Sequence, residues 1–90
     1  MASVLIPTPL RKLTSNIDTV HCSGSTIQEI VDNLDLGYPG MKERICTSDG
    51  QIRSFVNIFL NNEDVRFSAG VATEVKDSDE ISIVPAIAGG

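Results

Sequence analysis

One segment of the sequence has the apolar spacing of an amphipathic helix, and this limits the folds that the chain can adopt. Its apolar residues recur three and four positions apart: Ile27, Ile30, Val31 and Leu34. The stretch 25–29 before them offers two overlapping capping boxes, Ser–Gln and Thr–Glu, and Gly37 with Pro39 gives a stop signal. A helix with one apolar face has to bury that face against another layer.

Two short strands are predicted before this helix. Residues 4–6 form an apolar run that ends at a pair of prolines, which cannot continue a strand ladder. Residues 17–22 form the second candidate, in which Val20 and Cys22 share one face. After the helix, the stretch 40–45 is compatible with a further short turn or helix.

The second half of the chain predicts more strands. The stretch "SFVNIFL" alternates two sets of side chains, Val56, Ile58 and Leu60 against Phe55, Asn57 and Phe59. The two sets face opposite sides of a sheet, and "TSDGQ" and "NNED" are turn candidates. Residues 81–84 form a final strand that Pro85 is predicted to stop. The order indicates an α+β fold, with a mixed four- or five-stranded sheet packed on one main helix.

Length and charge exclude several kinds of function. Ninety residues form one small domain, which leaves little room for a large active-site cleft. Seven basic against twelve acidic residues give a net charge of −5, which disfavours nucleic-acid binding. No segment approaches the ~20 apolar residues of a membrane span, and the first residues lack a signal-peptide pattern. These features predict a cytoplasmic protein that binds neither nucleic acid nor a membrane.

The reactive side chains form no recognisable catalytic or metal-binding motif. Cys22 and Cys46 are predicted to be buried or partly buried reduced thiols, because their spacing suits neither a metal site nor a disulfide framework. His21 adjoins Cys22, but neighbours on a strand point to opposite faces. The basic residues are dispersed along the sequence and form no phosphate loop or basic stripe.

The segment from Phe55 to the end of the chain resembles a known family. "FVNIFLNNEDVRF", "DSDEISIVPAIAGG" and the terminal Gly89–Gly90 pair resemble the β-grasp, ubiquitin-like sulfur carriers of the small molybdopterin-synthase subunit and thiazole-carrier group. Within that group, the segment is similar in particular to the carriers of O-phosphoserine-dependent cysteine synthases. The resemblance implies a β-grasp domain over residues 1–84 and a flexible tail over residues 85–90.

The resemblance also implies a carrier that is not an enzyme and has no catalytic residue, metal or cofactor of its own. In such carriers an ATP-dependent E1-like activating enzyme adenylates the terminal carboxylate, and sulfur displaces AMP to leave a thiocarboxylate. Gly90 is therefore the expected sulfur-carrying residue. Gly89 and Ala88 are expected to give access to a narrow active site, and 88–90 to be mobile in the free protein. The expected sulfur acceptor is a pyridoxal-phosphate cysteine synthase, and a metal-dependent peptidase would release the cysteine.

Phe59 and Val84 are the expected docking residues for these partner enzymes. If both faces of the sheet were covered, Phe55 and Phe59 would be ordinary core residues. With one evident helix, one face is expected to stay open and to offer an apolar patch. Three alternatives remain open. The chain could be the small subunit of molybdopterin synthase bound to its large subunit, a ubiquitin-like protein modifier, or a binding module with an incidental tail.

Overall fold

A computed structural model describes residues 1–85, in which one layer of helices covers a five-stranded sheet. The strands are β1 (Ala2–Leu5), β2 (Thr19–Cys22), β3 (Val56–Leu60), β4 (Glu63–Asp64) and β5 (Glu80–Pro85). Their order is β2-β1-β5-β3-β4, with β1 and β5 parallel and all other neighbours antiparallel. This confirms the predicted α+β class and the mixed sheet.

The main helix, α1, spans Ile27–Gly37 and begins at the predicted capping signal. The Thr26 Oγ1 atom accepts the backbone N–H of Glu29 at 3.2 Å. The Glu29 carboxylate in turn accepts the backbone N–H of Ser25 at 3.0 Å, and this bond holds the pKa of Glu29 below its usual value. Of the two candidate boxes, the structure therefore uses Thr26 with Glu29. A short helix, α2, follows at Met41–Ile45.

The core lies between the helices and one face of the sheet. Its buried residues on the strands alternate along the sequence: Ala2, Val4, Cys22, Val56, Ile58, Ile81 and Ile83. The helices contribute Ile27, Ile30, Val31, Leu34, Met41 and Ile45. The face of β2 that carries Cys22 is covered, while His21 is exposed on the other face, as the alternation predicted.

Two features of the second half differ from the sequence-based expectations. Phe55 does not share a sheet face with Phe59, because it lies in a turn before β3. A hydrogen bond of 3.0 Å from the Val56 N–H to the Arg53 carbonyl closes this turn. Pro85 does not stop the final strand before itself, because it lies in β5 opposite Val56. Proline lacks only the N–H donor, so a residue at this end of the ladder can still pair.

The links between strands are short turns and 3₁₀ helices. A 3₁₀ helix at Thr8–Thr14 connects β1 to β2, and another at Val65–Phe67 follows β4. Asn61 and Asn62 have φ values of 51° and 75°, the left-handed pair that a tight hairpin between β3 and β4 requires. Within residues 1–85, no helix is long and apolar enough to cross a membrane.

Candidate functional site

The face of the sheet opposite the helices carries the two predicted docking residues. Val84 is 44% exposed and Phe59 is half-buried. Phe59 lies opposite Ser82, and Val84 lies opposite Asn57, so the two apolar side chains are diagonal neighbours on one face. The orientation predicted for both residues is therefore confirmed. Their role in docking stays a prediction.

Leu5 joins this pair and was missed by the sequence analysis. In the parallel register it lies opposite Ser82, on the side of β5 away from Phe59, and it is half-buried. The three central strands therefore carry a row of neighbouring side chains on this face, which consists of Leu5, Ser82 and Phe59. Val84 lies on the same face, two residues further along β5. The alternation of the buried residues Ala2, Val4 and Ile6 was the signal that could have placed Leu5 here. We call Leu5, Phe59 and Val84 the open-face patch.

Two grooves adjoin the end of β5. One, of about 520 Å³, lies between the Thr8–Thr14 helix and β5, and its lining includes Leu5, Arg11, Val84 and Pro85. It therefore continues from the open-face patch. The second, of about 350 Å³, has walls from Arg44, Arg53 and Phe55 as well as Pro85. Pro85, the last residue described, thus stands between two grooves.

The cysteine thiols are buried and free, as predicted. Desolvation raises the pKa of both thiols, and Cys22 also donates a hydrogen bond to the Ile30 carbonyl at 3.5 Å. A thiol that stays protonated is a poor nucleophile and a poor metal ligand. Among residues 1–85, no three histidine, cysteine or carboxylate side chains form a group that could hold a metal ion.

The expected sulfur-carrying residue, Gly90, lies outside the described residues, as do Gly89 and Ala88. The predicted tail over 85–90 falls in the same region, except for Pro85, which belongs to β5. The site that the structure does describe is therefore the surface around Pro85. It consists of the open-face patch and the two grooves.

The chain matches known proteins over nearly its whole length. The model of the ThiS family matches residues 4–90. The sulfur carrier protein CysO of Mycobacterium tuberculosis is 44% identical over 90 residues, which are 98% of this chain and 97% of that protein. Its crystal structure superposes with a TM-score of 0.93 at 42% identity and covers 97% of this chain and 100% of that one.

Two further solved structures extend the comparison. The crystal structure of the Amycolatopsis orientalis BexX/CysO complex contains a chain with a TM-score of 0.94 at 41% identity, and the match covers 100% of both chains. The small archaeal modifier protein 1 of Methanosarcina acetivorans has a TM-score of 0.85 at 27% identity, over 99% of this chain and 95% of that one. These matches confirm the ubiquitin-like β-grasp fold.

Proposed function

We propose that this chain, which belongs to the ThiS family of ubiquitin-like sulfur carriers, carries sulfur as a thiocarboxylate on Gly90. It acts as a protein co-substrate of an activating enzyme and of a sulfur-accepting synthase. The observation that carries the proposal is the family match, which runs to Gly90 itself. A cytoplasmic location accords with two buried cysteines that remain reduced.

Cysteine biosynthesis is the pathway that the similarity favours. The relative CysO matches along nearly the whole length of both chains. The similarity of the segment from Phe55 onward to carriers of O-phosphoserine-dependent cysteine synthases agrees with this relative. We therefore assign the sulfur to a pyridoxal-phosphate cysteine synthase.

The chemistry starts at the carboxylate of Gly90. The carboxylate attacks the α-phosphate of ATP on an E1-like activating enzyme and releases pyrophosphate, which leaves an acyl adenylate. A sulfur donor then attacks the acyl carbon and displaces AMP, so one carboxylate oxygen is replaced by sulfur. The thioacid is anionic at neutral pH and keeps a soft sulfur nucleophile.

In the acceptor step the sulfur adds to aminoacrylate, which the synthase forms from O-phosphoserine by loss of phosphate. The resulting acyl–sulfur bond rearranges to an amide, which leaves cysteine attached to Gly90. A metal-dependent peptidase then hydrolyses this amide, releases cysteine and returns the carboxylate. Every step uses the main chain of Gly90, which explains why the carrier needs no catalytic side chain.

The body of the carrier has to position this tail, and the open-face patch suits that task. Val84 is 44% exposed, and Leu5 and Phe59 flank β5 on the same face. An apolar patch next to the end of β5 allows a partner enzyme to contact the sheet while the tail enters its active site.

Intact-mass measurement tests the proposal. The untagged chain is incubated with the E1-like activating enzyme of its own organism, ATP and a sulfur donor. We expect a mass increase that equals the replacement of one oxygen by sulfur. Addition of O-phosphoserine and the synthase should then give a cysteinyl adduct. A matched chain with one residue added after Gly90 should stay unloaded with an unchanged fold.

Other outcomes would select the alternatives. Sulfur transfer to a pterin precursor without a cysteinyl adduct would identify the small subunit of molybdopterin synthase. Conjugates with lysines of other proteins would identify a protein modifier. A chain that gains no mass in any of these reactions would contradict the proposed function.

A further inference from the structure

The fold brings together four arginines that are dispersed along the sequence. Arg11 lines the larger groove beside Pro85, and Arg44 and Arg53 line the smaller one. The Arg66 guanidinium reaches Val56, whose partner across the sheet is Pro85. The sequence predicted no phosphate loop or basic stripe, and it gave no sign that these four residues come together around Pro85. We call these four residues the arginine collar.

Backbone carbonyls hold three of the four guanidinium groups in place. Arg11 Nε donates to the Ile6 carbonyl at 3.1 Å, and Arg53 Nε donates to the Glu43 carbonyl at 2.8 Å. Arg66 Nη2 donates to the carbonyls of Arg53 and Val56 at 2.5 and 2.6 Å. Neutral acceptors fix these side chains without cancelling their charge.

The charge of the collar is largely uncompensated within the described part of the chain. There, the one ion pair closer than 4.0 Å joins Lys42 to Asp32, at 2.6 Å, and includes no collar residue. One carboxylate residue, Glu43, also lines the smaller groove and offsets part of the charge. Asp64 also lies beside Arg66 and accepts its backbone N–H at 2.9 Å, and Asp18 lies next to Ile6, which Arg11 contacts. The four arginines outnumber these three carboxylates.

The opposite end of the sheet is acidic. Asp77 and Asp79 lie in the turn before β5, and Glu80 is the first residue of that strand. A strand rises about 3.3 Å per residue, so the two ends of β5 are separated by about 17 Å. The net charge of −5 is therefore unevenly distributed between the two ends of β5. The basic end is the one from which the chain continues to Gly90.

We infer that the arginine collar docks onto an acidic rim around the active site of the activating enzyme that receives Gly90. The inference rests on the proposed function. Residues 86–90 can span at most about 18 Å in any conformation, so an enzyme that holds Gly90 has to place its rim close to Pro85. Carboxylates are the protein groups that complement fixed, unpaired guanidinium groups at such a rim.

Phe55 gives this surface an apolar centre. It is 49% exposed and lines the smaller groove with Arg44 and Arg53. Aromatic residues and arginines are both enriched at protein interfaces. The collar thus has the anchor and the charges for a protein partner. Arg11 lines the larger groove together with Leu5 and Val84, so the collar adjoins the open-face patch.

Charge reversal at Arg44 tests the inference. Arg44 is exposed, and the structure gives its side chain no hydrogen bond in residues 1–85, so the variant should keep its fold. We expect Arg44→Glu to lower kcat/KM for thiocarboxylate loading about tenfold at low ionic strength, through a higher KM for the carrier. The difference should shrink as salt is added, and Arg44→Lys should restore loading.

Lys76→Glu is the matched control, because it makes the same charge change at an exposed position at the acidic end. Equal losses in Arg44→Glu and Lys76→Glu, or no loss in either, would overturn the collar as a docking surface. A raised KM for ATP in place of the carrier would overturn it too, since the collar would then bind nucleotide phosphates. If the wild-type protein gains no sulfur, the proposed function itself is wrong. If the wild-type protein is loaded normally, the proposed function stands, and the result for Arg44→Glu tests the collar alone.

Discussion

At the scale of single residues, Asp79 organises the turn that leads into β5. One carboxylate oxygen accepts the backbone N–H of Lys76 at 2.8 Å, and the other accepts the Asn61 side-chain amide at 2.9 Å. Both bonds favour the charged carboxylate, so they hold the pKa of Asp79 below its usual value, with the Lys76 bond as the larger cause. The residue thus couples the turn before β5 to the hairpin after β3.

We expect Asp79→Asn to lower the free energy of unfolding at neutral pH, because an amide offers one oxygen to two donors. The folded-state pKa of Asp79 lies below its unfolded value, so this contribution is present above the unfolded pKa. It is lost as the pH falls through the folded pKa. Urea unfolding at neutral and acidic pH measures the difference from wild type, which should shrink in acid.

Asp77→Asn is the matched control, since it removes an exposed charge from the same turn. Its effect at neutral pH should be smaller than that of Asp79→Asn. Equal effects of the two substitutions would show that net charge, and not the two hydrogen bonds of Asp79, sets the stability of this turn.

At the scale of secondary-structure elements, the start of α1 contributes to the stability of the folded protein. We expect Thr26→Ala to destabilise the protein by about 1 kcal/mol, because the Glu29 N–H loses its side-chain acceptor. Thr26→Ser keeps the hydroxyl and should lose less. Chemical unfolding of both variants at neutral pH measures this. A serine variant as unstable as the alanine variant would show that the threonine methyl group, and not the cap, stabilises the helix.

Local patterns predicted the elements that local forces determine. The spacing of Ile27, Ile30 and Val31 predicted α1, and the alternation around Ile58 and Ile83 predicted two strands. Each pattern indicates one buried face. The positions that depend on contacts across the chain were not predictable in this way. Phe55 continued an alternation that a turn interrupts.

The candidate site was predictable in part for the same reason. The alternation along β3 and β5 was enough to place Phe59 and Val84 on the open face. The arginine collar depends on distant segments that meet only in the fold, such as Arg66 at the carbonyl of Arg53. No spacing along the sequence reports such a meeting.

At the scale of the whole molecule, the helices cover one face of the sheet and leave the open-face patch on the other face uncovered. We expect Val84→Asp and Phe59→Asp to weaken binding to the activating enzyme more than they lower stability. The charge would be buried against an apolar partner surface, whereas Val84 is already 44% exposed in the free protein. Titration calorimetry of the complex and urea unfolding of the free carrier separate the two effects.

Leu36→Asp is the control for this surface. Leu36 is an 81% exposed apolar residue on α1, on the covered side of the sheet. The Leu36→Asp variant should therefore bind the enzyme as the wild-type protein does. If both patch variants bind normally, or if they simply unfold, the open face is not the docking surface.

The parallel pairing of β1 with β5 also orders events during synthesis. β1 leaves the ribosome first, yet one of its edges stays unpaired until the last strand of the described chain arrives, and such distant pairing is slow to form. Leu5, Phe59 and Val84 belong to β1, β3 and β5, so they become one surface only after that final pairing. An enzyme that contacts all three residues would not bind nascent or unfolded chains. It would therefore consume ATP only on a carrier that has finished folding.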